Sequence, residues 1–319
     1  MLSSLAEWIV RDLFNLSMES DMGKSIHFFI YDTAKILLLL AVMVFIITYI
    51  RSYFPPEKTK RWLTGRNEYA GNVLAALLGV VSPFCSCSTV PIFIGFIEAR
   101  IPLGVTFSFL ISSPIVNEVS LVMLFSLFGL KISLLYMLSG VTIAIFSGVL
   151  IGRLKLENQV EEYVYQIRPF QQETAGTIDV LNWQDRIKDA SYHVQDIIKR
   201  VWLYIIIGIG IGAAIHGYAP ENFLVNYAGK DNFLAVPLAT LVGIPLYSNA
   251  VGSIPVIEAL IDKGVAVGTA LSFMMAITAL SLPEVILLRK VIKPKLIGYF
   301  LGIVSLAIVG TGYLFNIIL

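Results

Sequence analysis

Long apolar runs, interrupted at a few points by short polar stretches that contain proline, set the pattern of this chain. Residues 34–50 give the first clear run, and a membrane helix needs about 20 mainly apolar residues. Residues 69–99 are apolar but broken by Ser82-Pro83-Phe84-Cys85-Ser86-Cys87-Ser88-Thr89-Val90-Pro91. Residues 101–128 are broken at Ser112-Ser113-Pro114, and 132–152 form a cleaner span. After a charged stretch come 201–218, then 233–263 broken at Pro245-Leu246-Tyr247-Ser248-Asn249, then 265–288 and 296–318. Ahead of the first span, residues 4–18 place Leu5, Trp8, Ile9, Leu13 and Leu16 on one helical face, with Glu7, Arg11 and Asp12 opposite. That spacing predicts an amphipathic helix lying in the membrane interface, not a cleavable signal peptide.

The pattern repeats. Shifted by 164 residues, the chain matches itself without a gap from Asp32 to Phe109, with sixteen of 78 pairs identical. Composition alone would give about six. Asp32 pairs with Asp196, Lys35 with Lys199, Pro56 with Pro220, Gly79 with Gly243, Pro91 with Pro255 and Gly104 with Gly268. Two unrelated greasy runs would not place proline and glycine in register. Further on, small shifts in either direction bring Asn117-Glu118-Val119 against Pro283-Glu284-Val285 and Gly140 against Gly302.

Composition narrows the class. The chain of 319 residues is 57% hydrophobic and 14% charged, against about 25% charged in soluble domains. Its net charge of +1 gives no electrostatic case for nucleic acid. The charges are uneven: 153–200 holds seven Lys/Arg and eight Asp/Glu of the 45. This reads as a polar linker between two membrane repeats. The expected organisation is an interfacial segment over 1–30, a first repeat over 31–152, a cytoplasmic linker over 153–195 and a second repeat over 196–319.

Basic residues set orientation. Arg51, Lys58, Lys60, Arg61 and Arg66 follow the first span, whereas its counterpart 219–232 holds only Lys230. Conversely, 289–295 holds Arg289, Lys290, Lys293 and Lys295, and the counterpart near Gly129 has only Lys131. The bias swaps between halves, which predicts inverted repeats and therefore an odd number of crossings in each. The expected fold is all-α and polytopic: two inverted repeats, each of about three crossing helices plus a re-entrant helical hairpin. Four crossings per half in parallel orientation is the alternative.

Interrupted spans at matching points of two repeats point to a transporter's binding site, because half-helix ends present free N–H and C=O groups near the bilayer midplane. The candidate substrate-binding residues are accordingly Cys85, Ser86, Cys87, Ser88, Asn117, Tyr247, Ser248 and Asn249. Soft thiols suit a soft metal or metalloid, or a thiol-reactive solute. Cysteine also serves as a small apolar filler, and the counterparts of Cys85 and Cys87 are Asn249 and Val251. Two cysteines are too few for a closed zinc site. Glu118 and Glu284 are the proton-coupling candidates, since intramembrane carboxylates mark pathways or relays; each could instead cap a half-helix. Glu98 and Asp262 read as exposed hairpin ends, Asp32 and Asp196 as interfacial anchors, and His27, His193 and His216 have no ligand spacing.

The Pro-Phe-Cys-Ser-Cys run at 83–87, with Ser112-Ser113-Pro114-Ile115-Val116-Asn117-Glu118, resembles the signatures of a large family of predicted bacterial and archaeal permeases that includes the organoarsenical efflux permease. The resemblance covers nearly the whole chain and implies a duplicated membrane architecture with a polar central linker. It also implies that cysteine thiols handle trivalent arsenic in the organoarsenical branch. No P-loop, Gly-x-Ser-x-Gly or His-Glu-x-x-His occurs, so an ATP motor and the common membrane hydrolases are excluded. The expectation is a multi-pass permease of the prokaryotic inner membrane, neither an enzyme nor cofactor-dependent. It would efflux a small thiol-reactive or metalloid-containing solute, alone or as a homo-oligomer, with uphill transport needing an ion or proton gradient or a separate ATPase. A permease for another small solute or anion, with incidental cysteines, stays open, as does a membrane thiol oxidoreductase using Cys85 and Cys87.

Overall fold

The computed structural model describes residues 6–13, 17, 20–51, 68–82, 86–161, 164, individual positions between 183 and 210, 233–246, 250–262 and 264–319. Among them no strand forms, and the fold is all-α. The helices are α1 (Asp21–Arg51), α2 (Glu68–Val81), α3 (Ser86–Glu98), α4 (Leu103–Ile115) and α5 (Glu118–Arg153). They continue as α6 (Ala235–Gly243), α7 (Ala250–Asp262), α8 (Val267–Ala279), α9 (Leu282–Leu288) and α10 (Pro294–Ile318). Ser120–Arg153, Val267–Leu288 and Pro294–Ile318 are long and apolar enough to cross a membrane. Ahead of α1, Ala6 and Val10 are buried one turn apart in a short helix that widens to a π-turn over Ile9–Leu13, and Trp8 faces outward.

The helices answer one another at an offset of 164. α3 and α7 share both ends at that spacing, as do α4 and α8. Their C-terminal turns match atom for atom. Arg100 N–H donates to the Ile97 carbonyl at 2.8 Å and Ile101 N–H to Phe96 at 3.0 Å; Gly264 donates to Ile261 at 2.9 Å and Val265 to Leu260 at 3.0 Å. Arg100 (φ 55°) and Gly264 (φ 93°) are left-handed, as this helix stop requires.

The chain divides into two compact units, one of residues 1–40, 200–287 and 308–319, the other of 41–199 and 288–307. In the second, α4 is buried along its whole length, its threonine and three serines included. The α2–α3 pair folds over it as a hairpin. α2 runs parallel to α4: Asn72 meets Ser108, and Gly79 abuts Ser112. α3 runs antiparallel: Thr89 meets Ser113, and Phe93 lies edge-on to Phe107 at 5.1 Å. Phe300 of α10 completes that aromatic cluster, 5.6 Å from Phe107.

α5 is not straight. Thirty-six residues would span about 54 Å, well beyond a bilayer's apolar core. Gly129 breaks it with φ 81°, and the chain doubles back: Ser133 Oγ donates to the Leu121 carbonyl at 3.1 Å, twelve residues away. The returning arm packs on α4 through glycine. A Cβ on Gly104 would meet the Gly148 carbonyl at 2.6 Å and Gly152 Cα at 3.0 Å. The first unit repeats this at the same offset: a Cβ on Gly268 would press on Gly312 and on Asn316, and α8 is buried as α4 is. Such small-residue seams let membrane helices approach closely where no hydrophobic drive separates lipid from protein.

The polar stretch after α5 begins as a strap. Val160 bridges Ile292: Glu161 N–H donates to the Val291 carbonyl at 2.9 Å and Lys293 N–H to Gln159 at 2.7 Å. Val160, Val164, Val291 and Ile292 are buried, and Arg289 reaches Glu161 at 3.9 Å. The strap therefore ties residues 157–161 to the basic turn between α9 and α10.

Candidate functional site

The two interruptions in the first half come together. Because α2 runs with α4 and α3 runs against it, the tip of their hairpin lies beside the end of α4. α2 stops at Val81, where Ser82 Oγ donates to the Gly79 carbonyl at 2.8 Å. α3 then starts at Ser86, so Ser86, Cys87 and Ser88 form its first turn. Their side chains lie outside the described residues, as does the whole of Cys85. Pro91 sits four residues after Cys87 and has no N–H, which denies the Cys87 carbonyl its helical donor. Polar backbone is therefore left at the tip beside the thiol-bearing turn.

Thr89 is the anchor. Fully buried in the first turn of α3, it donates from Oγ1 to Ser113 Oγ at 3.2 Å. Ser113 belongs to the Ser112-Ser113-Pro114 interruption, where α4 ends. Ser112 Oγ donates to Phe109 at 3.2 Å, and Val116 N–H closes the helix on the Ser112 carbonyl at 2.9 Å. Asn117 follows, half-buried, and its carbonyl accepts the Leu121 N–H at 3.0 Å as α5 begins.

Glu118 and Glu284 occupy different environments. Glu118 is the first residue of α5 and is exposed. Glu284 is the third residue of α9 and is 2% exposed. The two-residue shift that paired them in the sequence is not kept. α5 begins at 118 and α9 at 282, and the contact of Gly148 with Ser108 recurs as Gly312 with Ser272, all at 164. Glu284 thus answers Ser120, and Glu118 answers Leu282. A helix start fixes register more firmly than a matching letter does.

Tyr247, Ser248 and Asn249 lie outside the described residues. The counterpart of Thr89 is Ser253, also buried, whereas that of Ser113 is Ile277, so the side-chain bond between hydroxyls belongs to the first half. Sequence reasoning passed over Thr89, Ser113, Ser120 and Ser281, all buried. Their signal was faint, because serine and threonine are common inside membrane helices. Among the described residues no group of three or more His, Cys, Asp or Glu converges as a metal site would need.

A family model described as predicted permease, ArsP_1, matches residues 21–317. The chain belongs to this permease family. It is similar to the UPF0718 protein MJ0584 of Methanocaldococcus jannaschii, 24% identical over 79% of this chain and 83% of that one. A Streptococcus mutans protein, named as a candidate subunit of a two-component membrane permease complex, is 24% identical over 82% of this chain and 84% of its own. The UPF0718 protein YraQ of Escherichia coli is 20% identical over 79% and 70%. No solved structure matches. With its long apolar helices, the permease is a multi-pass protein of the cell membrane.

Proposed function

We propose that the permease carries a small thiol-reactive or metalloid-containing solute outward, through a site built where helices break. The carrying observation is the Thr89–Ser113 bond, which joins the turn holding Cys87 to the interruption ahead of Asn117. The candidate substrate-binding residues are Cys85, Ser86, Cys87, Ser88 and Asn117 at the breaks of the first half, and Tyr247, Ser248 and Asn249 at the equivalent break of the second. Soft sulfur at a broken helix can take a soft element, while free backbone groups replace its hydration shell. Of the two carboxylates, Glu284 is the coupling group favoured by burial.

The same reading takes the two repeats as inverted, joined by a cytoplasmic linker over 153–195. Helix lengths support re-entrant hairpins: α2 and α3, with 14 and 13 residues, each reach only about 20 Å, too short for a core of about 30 Å. The reversal at Gly129 supports three crossings per repeat.

The test is uptake into everted vesicles, with trivalent metalloid and oxyanion solutes offered to wild type and to Cys85→Ser/Cys87→Ser. Flux of the soft solute should fall at least tenfold in the double variant. Undiminished flux of every transported solute would instead favour a permease whose cysteines are incidental, which the Asn249 and Val251 counterparts already suggest as the second reading.

A further inference from the structure

Three buried oxygen groups flank the break between α8 and α9. The Ala279 carbonyl ends α8, and four residues on stands Pro283, which has no N–H to give it. Ala279 is itself buried. Ser281, in the break, is buried, and its Oγ makes no hydrogen bond. Glu284 follows three residues later, on the same side of the first turn of α9.

The bland explanation is a capping box, since Ser281 and Glu284 have the Ser-x-x-Glu spacing of a reciprocal helix cap. In that cap the serine Oγ accepts the N–H of the third helical residue. Here it accepts none, while the Ser281 carbonyl takes the Val285 N–H at 3.1 Å as an ordinary helix start. The first half supplies a control. The counterparts of Ser281, Pro283 and Glu284 are Asn117, Val119 and Ser120, so this combination of hydroxyl, missing N–H and carboxylate stands in one repeat and not at the paired positions of the other.

A carboxylate, a hydroxyl and a peptide carbonyl are hard oxygen donors, and the C-terminal end of a half-helix adds a negative dipole. Of the three groups only the carboxylate carries charge, which suits a monovalent ion better than a divalent one. A proton would engage the carboxylate alone, whereas a sodium ion uses all three groups. We infer that the α8–α9 break binds a sodium ion through the Ala279 carbonyl, Ser281 Oγ and the Glu284 carboxylate, and that this ion drives the permease. The driving role rests on the permease reading; the binding does not.

Binding of radioactive sodium to the purified full-length protein tests this, in a choline chloride background with potassium as competitor. Thermal unfolding at fixed ionic strength runs beside it. Wild type should bind sodium saturably and unfold at rising temperature as sodium rises, with no response to potassium. Glu284→Gln should abolish binding, and Ser281→Ala should weaken it at least tenfold. Pro283→Ala, which returns an N–H to the Ala279 carbonyl, should weaken it while leaving the fold intact. Should Glu284→Gln fail to fold, the other two variants decide. Absent sodium binding in wild type, or wild-type affinity in all folded variants, overturns the inference. Solute flux that persists in sodium-free medium overturns the driving role and leaves the permease standing. Sodium binding without flux of any solute supports the ion site and fails the permease reading instead.

Discussion

Arg100 holds a left-handed conformation that its counterpart Gly264 adopts freely. A side chain there costs about 1 kcal/mol, so Arg100→Gly should stabilise the protein by up to roughly that amount in thermal or denaturant unfolding. The Thr89–Ser113 bond is buried, so Thr89→Val should cost about 0.5–1.5 kcal/mol by deleting it, and Ser113→Ala should cost less in the Thr89→Val background than in wild type. A double-mutant cycle on unfolding checks the sign. At this scale the sequence was only partly legible. Cys85 and Cys87 announce themselves because cysteine is rare in this chain, whereas Thr89 and Ser281 matter through burial and partners, which no letter states. Glu118 and Glu284 show the opposite error: identical letters two residues out of register are exposed in one case and buried in the other.

Helices were legible where apolar periodicity ends at proline or glycine. The interruptions read from 82–91 and 112–114 lie at real helix ends, because a proline removes a backbone donor whatever surrounds it. The reversal at Gly129 was harder, since one glycine in an apolar run weakens a helix without declaring a turn. Close packing between helices leaves a sharper prediction. Gly104→Leu or Gly148→Val should separate α4 from the returning arm of α5, destabilising by about 1–3 kcal/mol or more. Gly268→Leu should do the same between α8 and α10, and equal losses at the two equivalent sites would show that both seams bear load. The strap over 157–161 was invisible to hydropathy, because single valines such as Val160 and Val164 in a charged stretch look like noise. Glu161→Pro removes the N–H that meets the Val291 carbonyl and should raise protease cleavage of the 157–161 segment several-fold. Unchanged cleavage would mean that the bridge does not hold the strap in place.

For the molecule as a whole, composition identified a membrane protein, and the 164-residue repeat anticipated which helices share their bounds. The matched ends of α3 with α7 and α4 with α8 express that repeat in backbone geometry. What duplication leaves the same is scaffold: glycine seams, helix stops and buried central helices. What it leaves different is chemistry, with thiols on one half and a buried carboxylate on the other. That division is the core of the account, since the proposed solute and ion groups lie where the two halves differ. It is tested most directly by the alkylation rate of Cys85 and Cys87 in the purified permease, measured with a maleimide in the presence and absence of a transported solute. A saturating transported solute should slow alkylation at least tenfold. An unchanged rate under saturating solute would contradict a site at the hairpin tip.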